Sequence, residues 1–245
     1  MNATANYDFT VIVPLYNEED NIAALERRFA AWLPTAPVRT CVLFVNDGST
    51  DASLPRLKEA CARHDAFLYA ALGHNSGLSA ALKAGFDLAE SPWVGYIDAD
   101  LQTAPEDFPL LLEHTRDHDM VIGIRADRRD TGFKKLQSKI ANAFRRRMTG
   151  DGVQDTGCPL KVIATPLAQK LPMFTGMHRF LPALGLLYGA RVKQVPVRHF
   201  PRTAGVSKYH LWNRLKGPFL DCFAYRWMRK RLIDNHIADN NLKVN

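Results

Sequence analysis

The chain has no glycine-rich GxGxxG turn, no CxxC pair, no recognisable nucleic-acid-binding motif and no apolar run near the ~20 residues that a membrane-spanning helix needs. Each absence removes a class. Without closely spaced cysteines, Cys41, Cys61, Cys158 and Cys222 read as scattered, reduced thiols of a cytosolic protein rather than a disulfide framework or a zinc site. The first residues, MNATANYDF, contain neither the basic nor the apolar segment of a signal peptide. The longest uncharged apolar candidate, Phe180–Ala190, is too short to span a bilayer, so the expectation is a protein that does not cross one. The first strand–helix turn is PLYNEED. Its carboxylates would repel a bare pyrophosphate, so either a metal intervenes or the turn holds a base or sugar. No histidine stands out as a catalytic base; His74, His178 and His199 read as structural or peripheral.

What is present is one domain's worth of chain, with or without an appendage: 245 residues, 47% apolar, net charge +7. The charge is unevenly placed. Residues 125–150 carry nine lysines and arginines against Asp127 and Asp130, and residues 202–231 carry eight against Asp221. Each segment is +7, which leaves the rest of the chain at −7. Two basic segments on an acidic body point to an anionic partner. Nucleic acid is disfavoured, because acid lines the expected cleft.

That cleft is read from two strand ends. Trp93–Ile97 is a short buried strand followed at once by Asp98, Ala99 and Asp100. Two carboxylates one residue apart can share a hard cation, and ligands of open α/β sheets bind at the carboxyl edge. A second run, Cys41–Asn46, ends in Asp47, Gly48, Ser49, Thr50 and Asp51, and is expected to lie beside the first. Strands at Phe9–Val13 (closed by Pro14), Cys41–Asn46, Phe67–Leu72, Trp93–Ile97 and Met120–Ile124 alternate with helical spacings. Asn17 is expected to cap the first helix, and Ser49 or Asp51 the second. The fold class is α/β, with a mostly parallel sheet and helices on both faces.

After Arg125 the alternation breaks. Phe133, Leu136, Ile140, Phe144 and Met148 form one stripe of a helix whose other faces carry Lys134, Lys135, Lys139, Arg145 and Arg146, a pattern of bilayer interfaces. Near the C-terminus, Trp212, Leu215, Phe219, Phe223 and Trp227 recur among cations, and Pro218 is expected to split the segment into two helices.

The segments VIVPLYNEE (11–19), VNDGSTD (45–51), GLSAALKAGF (77–86), DADLQ (98–102), GIR (123–125), DTGCPLK (155–161) and GVSKY (205–209) resemble, in joint order, a family 2 glycosyltransferase of the GT-A fold. The branch they most resemble transfers a sugar to a polyprenyl phosphate. The resemblance implies a catalytic domain over 1–210 and a C-terminal basic aromatic segment over 211–245. It implies a donor site of Pro14, Tyr16, Asn17, Glu18, Asp47, Asp98, Ala99, Asp100, Arg202 and Lys208. Mg2+ or Mn2+ would be held by Asp98, Asp100 and Gln102, and the acceptor phosphate by Arg125, Lys134 and Ser138. Lys134 stands where the family usually has arginine. Asp98, Asp100 and Arg125 would carry catalysis. The implied partners are a nucleotide sugar, a polyprenyl phosphate and the anionic inner face of the cell membrane, with room for an integral-membrane partner or a homo-oligomer. Two other readings are a soluble transferase for a glycan or protein, and a non-catalytic nucleotide-sugar-binding protein.

Overall fold

The computed structural model describes residues 3–125, 143–200 and 211–233. Seven strands, β1 Phe9–Leu15, β2 Thr40–Asn46, β3 Phe67–Ala71, β4 Trp93–Tyr96, β5 Met120–Arg125, β6 Lys161–Ala164 and β7 Val192–Val197, form one sheet in the order β3-β2-β1-β4-β6-β5-β7. All neighbours are parallel except β6, which runs against both β4 and β5. Its reversal brings Lys161, its first residue, opposite Tyr96, the last residue of β4.

β1 is buried on both faces, and its alternation separates two cores. Phe9, Val11, Val13 and Leu15 pack with helices α1 (Ile22–Trp32), α2 (Ser53–Arg63) and α4 (Phe108–Leu112). Ile12 faces α3 (Leu78–Leu88), α6 (Thr165–Lys170) and α7 (Leu181–Leu187). This double burial suits the near-continuous apolar run of a parallel strand. Phe9 meets Phe108 edge-on at 5.1 Å between centroids. It also lies over Gly95 so closely that a Cβ there would come within 2.4 Å of the ring. Residues 143–149 are helical (α5), and a final helix, α8, runs Leu211–Arg231.

Three expectations are corrected. The acidic ends of β2 and β4 are not adjacent, because β1 lies between them. β1 does not stop at Pro14 but continues to Leu15. Ile12 gives its carbonyl to Ile97 on the β4 side, so Pro14, two residues on, directs its missing N–H to the same side, where β4 has already ended. The proline therefore costs no ladder bond. α8 passes through position 218 as one helix. Its second half is pinned by buried Cys222 and Tyr225, the latter stacked on Phe180 at 6.2 Å with its hydroxyl donating to the Ala183 carbonyl, so tertiary packing overrides the proline's local preference.

Candidate active site

With β2 and β4 on opposite sides of β1, the carboxyl edge opens a crevice where the sheet's connections diverge, the usual ligand position in such sheets. The turns lining it are laced together. The Asn17 N–H donates to Ser49 Oγ at 2.9 Å, and Asn17 Oδ1 accepts from the Thr50 N–H at 2.8 Å. The Glu18 N–H donates to Ser53 Oγ at 2.8 Å, and Glu19 Oε2 accepts from the Ala52 N–H at 3.1 Å. Asn17 thus bridges two turns instead of capping α1, whose N-cap is Asn21 without a side-chain bond. The N-cap of α2 is Ala52, without a side-chain cap bond; Asp51 stands one residue earlier and accepts from the Ser53 N–H at 2.9 Å. Ser49 does not cap α2 either, because its hydroxyl faces Asn17.

Asp47 is buried, and its carboxylate accepts the N–H groups of Ser76 and Gly77, both at 2.8 Å, and the Asn75 amide at 3.1 Å. It therefore fixes the entrance to α3. Gly48 lies so close to this entrance that a Cβ would sit 2.3 Å from the His74 carbonyl carbon, and its φ of +64° independently requires glycine. Pro14 is buried and Tyr16 half-buried beside these turns.

Across β1, the Tyr96 hydroxyl donates to Asp98 Oδ1 at 2.6 Å. Burial, then the charge of Asp100, pushes the Asp98 carboxyl up to about 6. Asp100 accepts the Gln102 N–H at 3.1 Å, while Ala99 tucks its methyl into the core. Leu101, buried between them, has φ +58°. The other non-glycine residue with positive φ among those described is Asn17, so both strained positions sit at the crevice. Gln102 gives its carbonyl to the Phe200 N–H at 2.9 Å and approaches the His199 ring at 3.1 Å. Arg202, two residues further on, lies outside the described residues, as do Lys208, Lys134 and Ser138.

Among the described residues no group of three or more His, Cys, Asp or Glu side chains gathers as a metal cage. Two carboxylates on one short loop are nonetheless the donor set of a hard octahedral cation that keeps phosphate and water ligands. Asp98 and Asp100 therefore fit Mg2+ or Mn2+ arriving with a diphosphate.

Arg125, at the end of β5, is gripped by Asp155: Nε meets Oδ2 at 2.7 Å and Nη2 meets Oδ1 at 2.8 Å. It reaches the site as half of an ion pair and not as a lone cation. Three further groups, none assigned a site role from sequence, stand beside Asp98. A cavity of about 280 Å³ beside Asp98 is lined also by Lys161, His178 and Arg179. The ammonium of Lys161 donates to the Cys158 carbonyl and lies 5.2 Å from the Tyr96 ring centre. His178, expected to be structural or peripheral, meets Ser79 Oγ at 2.9 Å, and burial pushes its pKa down to about 3, leaving a neutral ring. The signal for Lys161 was in the DTGCPLK segment; β6 reversal is what brings it here.

The basic segments behave differently. Arg145, expected on the cationic face of an interface helix, is buried in an ion pair with Asp151 and donates to the Val153 carbonyl at 2.6 Å. A buried arginine needs such a partner. On α8, Phe219, Phe223 and Trp227 are 49%, 50% and 64% exposed, and Phe144 of α5 stacks on Phe219 at 5.2 Å. Arg147, Arg226, Arg229 and Lys230 surround a cavity of about 650 Å³ beside this aromatic row. Among the described residues no helix is long and apolar enough to cross a membrane.

Comparison with known proteins agrees with this geometry. The chain is 35% identical over 208 residues to a dodecaprenyl-phosphate galacturonate synthase of Rhizobium johnstonii, covering 82% of this chain and 62% of that protein. It is 33% identical over 204 residues to an undecaprenyl-phosphate 4-deoxy-4-formamido-L-arabinose transferase of Edwardsiella ictaluri, covering 82% and 63%. The chain thus spans somewhat less than two thirds of these curated relatives. Its fold is similar to glucosyl-3-phosphoglycerate synthase from Mycobacterium tuberculosis, solved with Mn2+, UDP-glucose and phosphoglyceric acid, with a TM-score of 0.64 and 17% identity over 95% of this chain and 83% of that one. The architecture is that of the GT-A transferases. The model of glycosyl transferase family 2 matches residues 10–171, most of the sheet and both acidic edges, and the chain belongs to that family.

Proposed function

We propose that the protein is an inverting glycosyltransferase that moves a sugar from a nucleoside diphosphate to a polyprenyl phosphate at the cytoplasmic face of a membrane. The observation that carries this reading is the loop Asp98–Gln102. It offers two carboxylates to a cation beside a cavity lined by Lys161 and Arg179, whose one histidine, His178, is kept neutral by burial.

That chemistry suits a phosphate acceptor. A phosphate monoester is already anionic at neutral pH, so an oxygen of the acceptor can attack the sugar's anomeric carbon without a general base. The bond from that carbon to the diphosphate breaks, the nucleoside diphosphate leaves with the electron pair, and attack from the opposite side inverts the centre. Asp98 and Asp100 would hold Mg2+ or Mn2+, which when bound neutralises charge on the departing diphosphate. The chain's own residues orient and shield. The Asn17–Thr50 and Asp47–Gly77 bonds hold the turns where a base and ribose would lie, and the Arg125–Asp155 pair presents a fixed cation to the acceptor side. Arg202 and Lys208, and Lys134 and Ser138, keep the donor and acceptor roles that the family resemblance implies. The exposed aromatics and cations of α5 and α8 supply a surface for an anionic bilayer, where the acceptor's prenyl tail stays.

The test is a screen of UDP- and GDP-sugars against undecaprenyl phosphate, with and without EDTA, reading extracted lipid-linked sugar. Product that disappears with EDTA is expected. Transfer only to a soluble glycan, or hydrolysis without transfer, would overturn the acceptor assignment.

A further inference from the structure

The relatives' sugars differ, one a uronic acid and one a neutral formamido sugar, so likeness does not choose between them. The cavity beside Asp98 does. Resting on the transferase reading above, we propose that this cavity receives the donor's sugar and that Arg179 selects a sugar bearing a carboxylate, a hexuronate.

At about 280 Å³ the cavity has room for one hexose ring. Its position fits the same occupant, because Asp98 of the proposed cation site is part of the wall.

The charged and aromatic polar groups of the wall are already employed, with one exception. Tyr96 is bonded to Asp98, Lys161 to the Cys158 carbonyl, and His178 to Ser79 as a neutral ring. Arg179 is half-buried, yet among the described residues its guanidinium has no hydrogen-bond or ion-pair partner. Asp221 of α8 acts on it through space without reaching contact distance. A divalent cation would be matched by Asp98 and Asp100 themselves, which leaves Arg179 as the cation of the wall that no described side chain contacts.

A neutral hexose would leave that guanidinium without a charged contact in a half-open site. A carboxylate on the ring could take it through two parallel N–H···O bonds, the geometry for which arginine is suited. The same empty fork therefore attracts an acidic sugar and penalises a neutral one. Arg179 sits beside His178 on the short turn Met177–Phe180, whose Met177 and Phe180 are buried, so it projects from a fixed base. The other anion in reach is the acceptor phosphate. Were that its ligand, Arg179 would be indifferent to the sugar.

The experiment compares UDP-glucuronate and UDP-galacturonate with UDP-glucose and UDP-galactose, in binding and in transfer. Binding is measured by calorimetry with Mn2+ present, and transfer as kcat/KM with undecaprenyl phosphate. Wild type should favour the acidic donors about 10- to 100-fold, the range of one charged hydrogen-bonded contact. Arg179→Gln should collapse that ratio toward one, and Arg179→Lys should recover part of it. Preference for neutral donors in wild type would overturn the proposal. So would an equal loss on both donor types in Arg179→Gln, which marks a structural role, or a raised KM for the prenyl phosphate with donor preference intact, which marks an acceptor role. Absence of transfer from every donor would sink the transferase reading, while the calorimetric ratio would still decide the sugar.

Discussion

The carboxyl edge of the sheet and the α5–α8 surface both concentrate charge, and they treat it in opposite ways. At the edge, Asp47 spends its carboxylate on three N–H donors, Asn17 and Glu19 lock the second turn, and Arg125 is held by Asp155. On α8, aromatic side chains stand half exposed or more beside arginines and a lysine. Internal satisfaction gives the edge a fixed geometry, which a site acting by electrostatic placement requires. An unsatisfied apolar and cationic face instead stores its interactions for something outside the chain.

If that contrast holds, damage at the edge should cost rate and damage on α8 should cost location. The largest effect is expected from Asp100→Ala: turnover should fall at least about 10²–10³-fold while thermal unfolding and circular dichroism remain close to wild type. Near-normal turnover would remove Asp100 from the cation site. An intermediate effect is expected when Phe219, Phe223 and Trp227 become serine together. Their exposure means that the fold should lose little, but co-sedimentation with phosphatidylserine vesicles should weaken roughly tenfold. Transfer to a long-chain acceptor should drop more than transfer to a short soluble prenyl phosphate. Equal losses on both acceptors would assign the row to the fold. In a companion charge reversal, Arg146 and Arg147 are the useful positions, because Arg145 is a buried structural partner of Asp151.

The smallest effect concerns Asp98. Its carboxyl is pushed up to about 6, so the native protein holds that proton more tightly than the unfolded chain does. Without divalent cations this group's contribution to stability falls as pH rises from about 4 to about 6. Asp98→Asn removes the penalty. Its unfolding temperature should exceed wild type by a few degrees near pH 7.5, about 1–2 kcal/mol, with the gap closing near pH 4. A gap that widens on acidification would reverse the assigned sign.

How far the sequence could lead follows the same divide. Strand–helix alternation, Asp98 and Asp100 after an apolar run, and the DGSTD turn were legible because each is local: period, turn chemistry and strand ends need only neighbouring residues. Strand order was not. Nothing in residues 93–97 announces that β1, and not β2, lies beside β4. Pro14 looked terminal because its empty N–H side is decided by where β4 stops. Lys161 lies in the DTGCPLK segment but its place in the site depends on β6 reversal, and Arg179, with no distinguishing local pattern, enters through the turn before α7. Arg145 looked like surface charge because its partner, Asp151, follows the helix that carries it.

The reversed strand has a consequence for how the chain is made. β1 to β4 can assemble from contiguous sequence as the polypeptide emerges, but β4 then presents a raw edge until Lys161–Ala164 arrives, and β5, synthesised earlier, has no seat in the sheet before it. Until that closure, half of the sheet ends in the kind of strand border that recruits other chains. The late arrival also carries Lys161 to the side of Tyr96 and Asp98. Sealing the edge and completing the cavity are therefore one event, so a nascent chain stalled before β6 is at once prone to aggregate and unable to form its site.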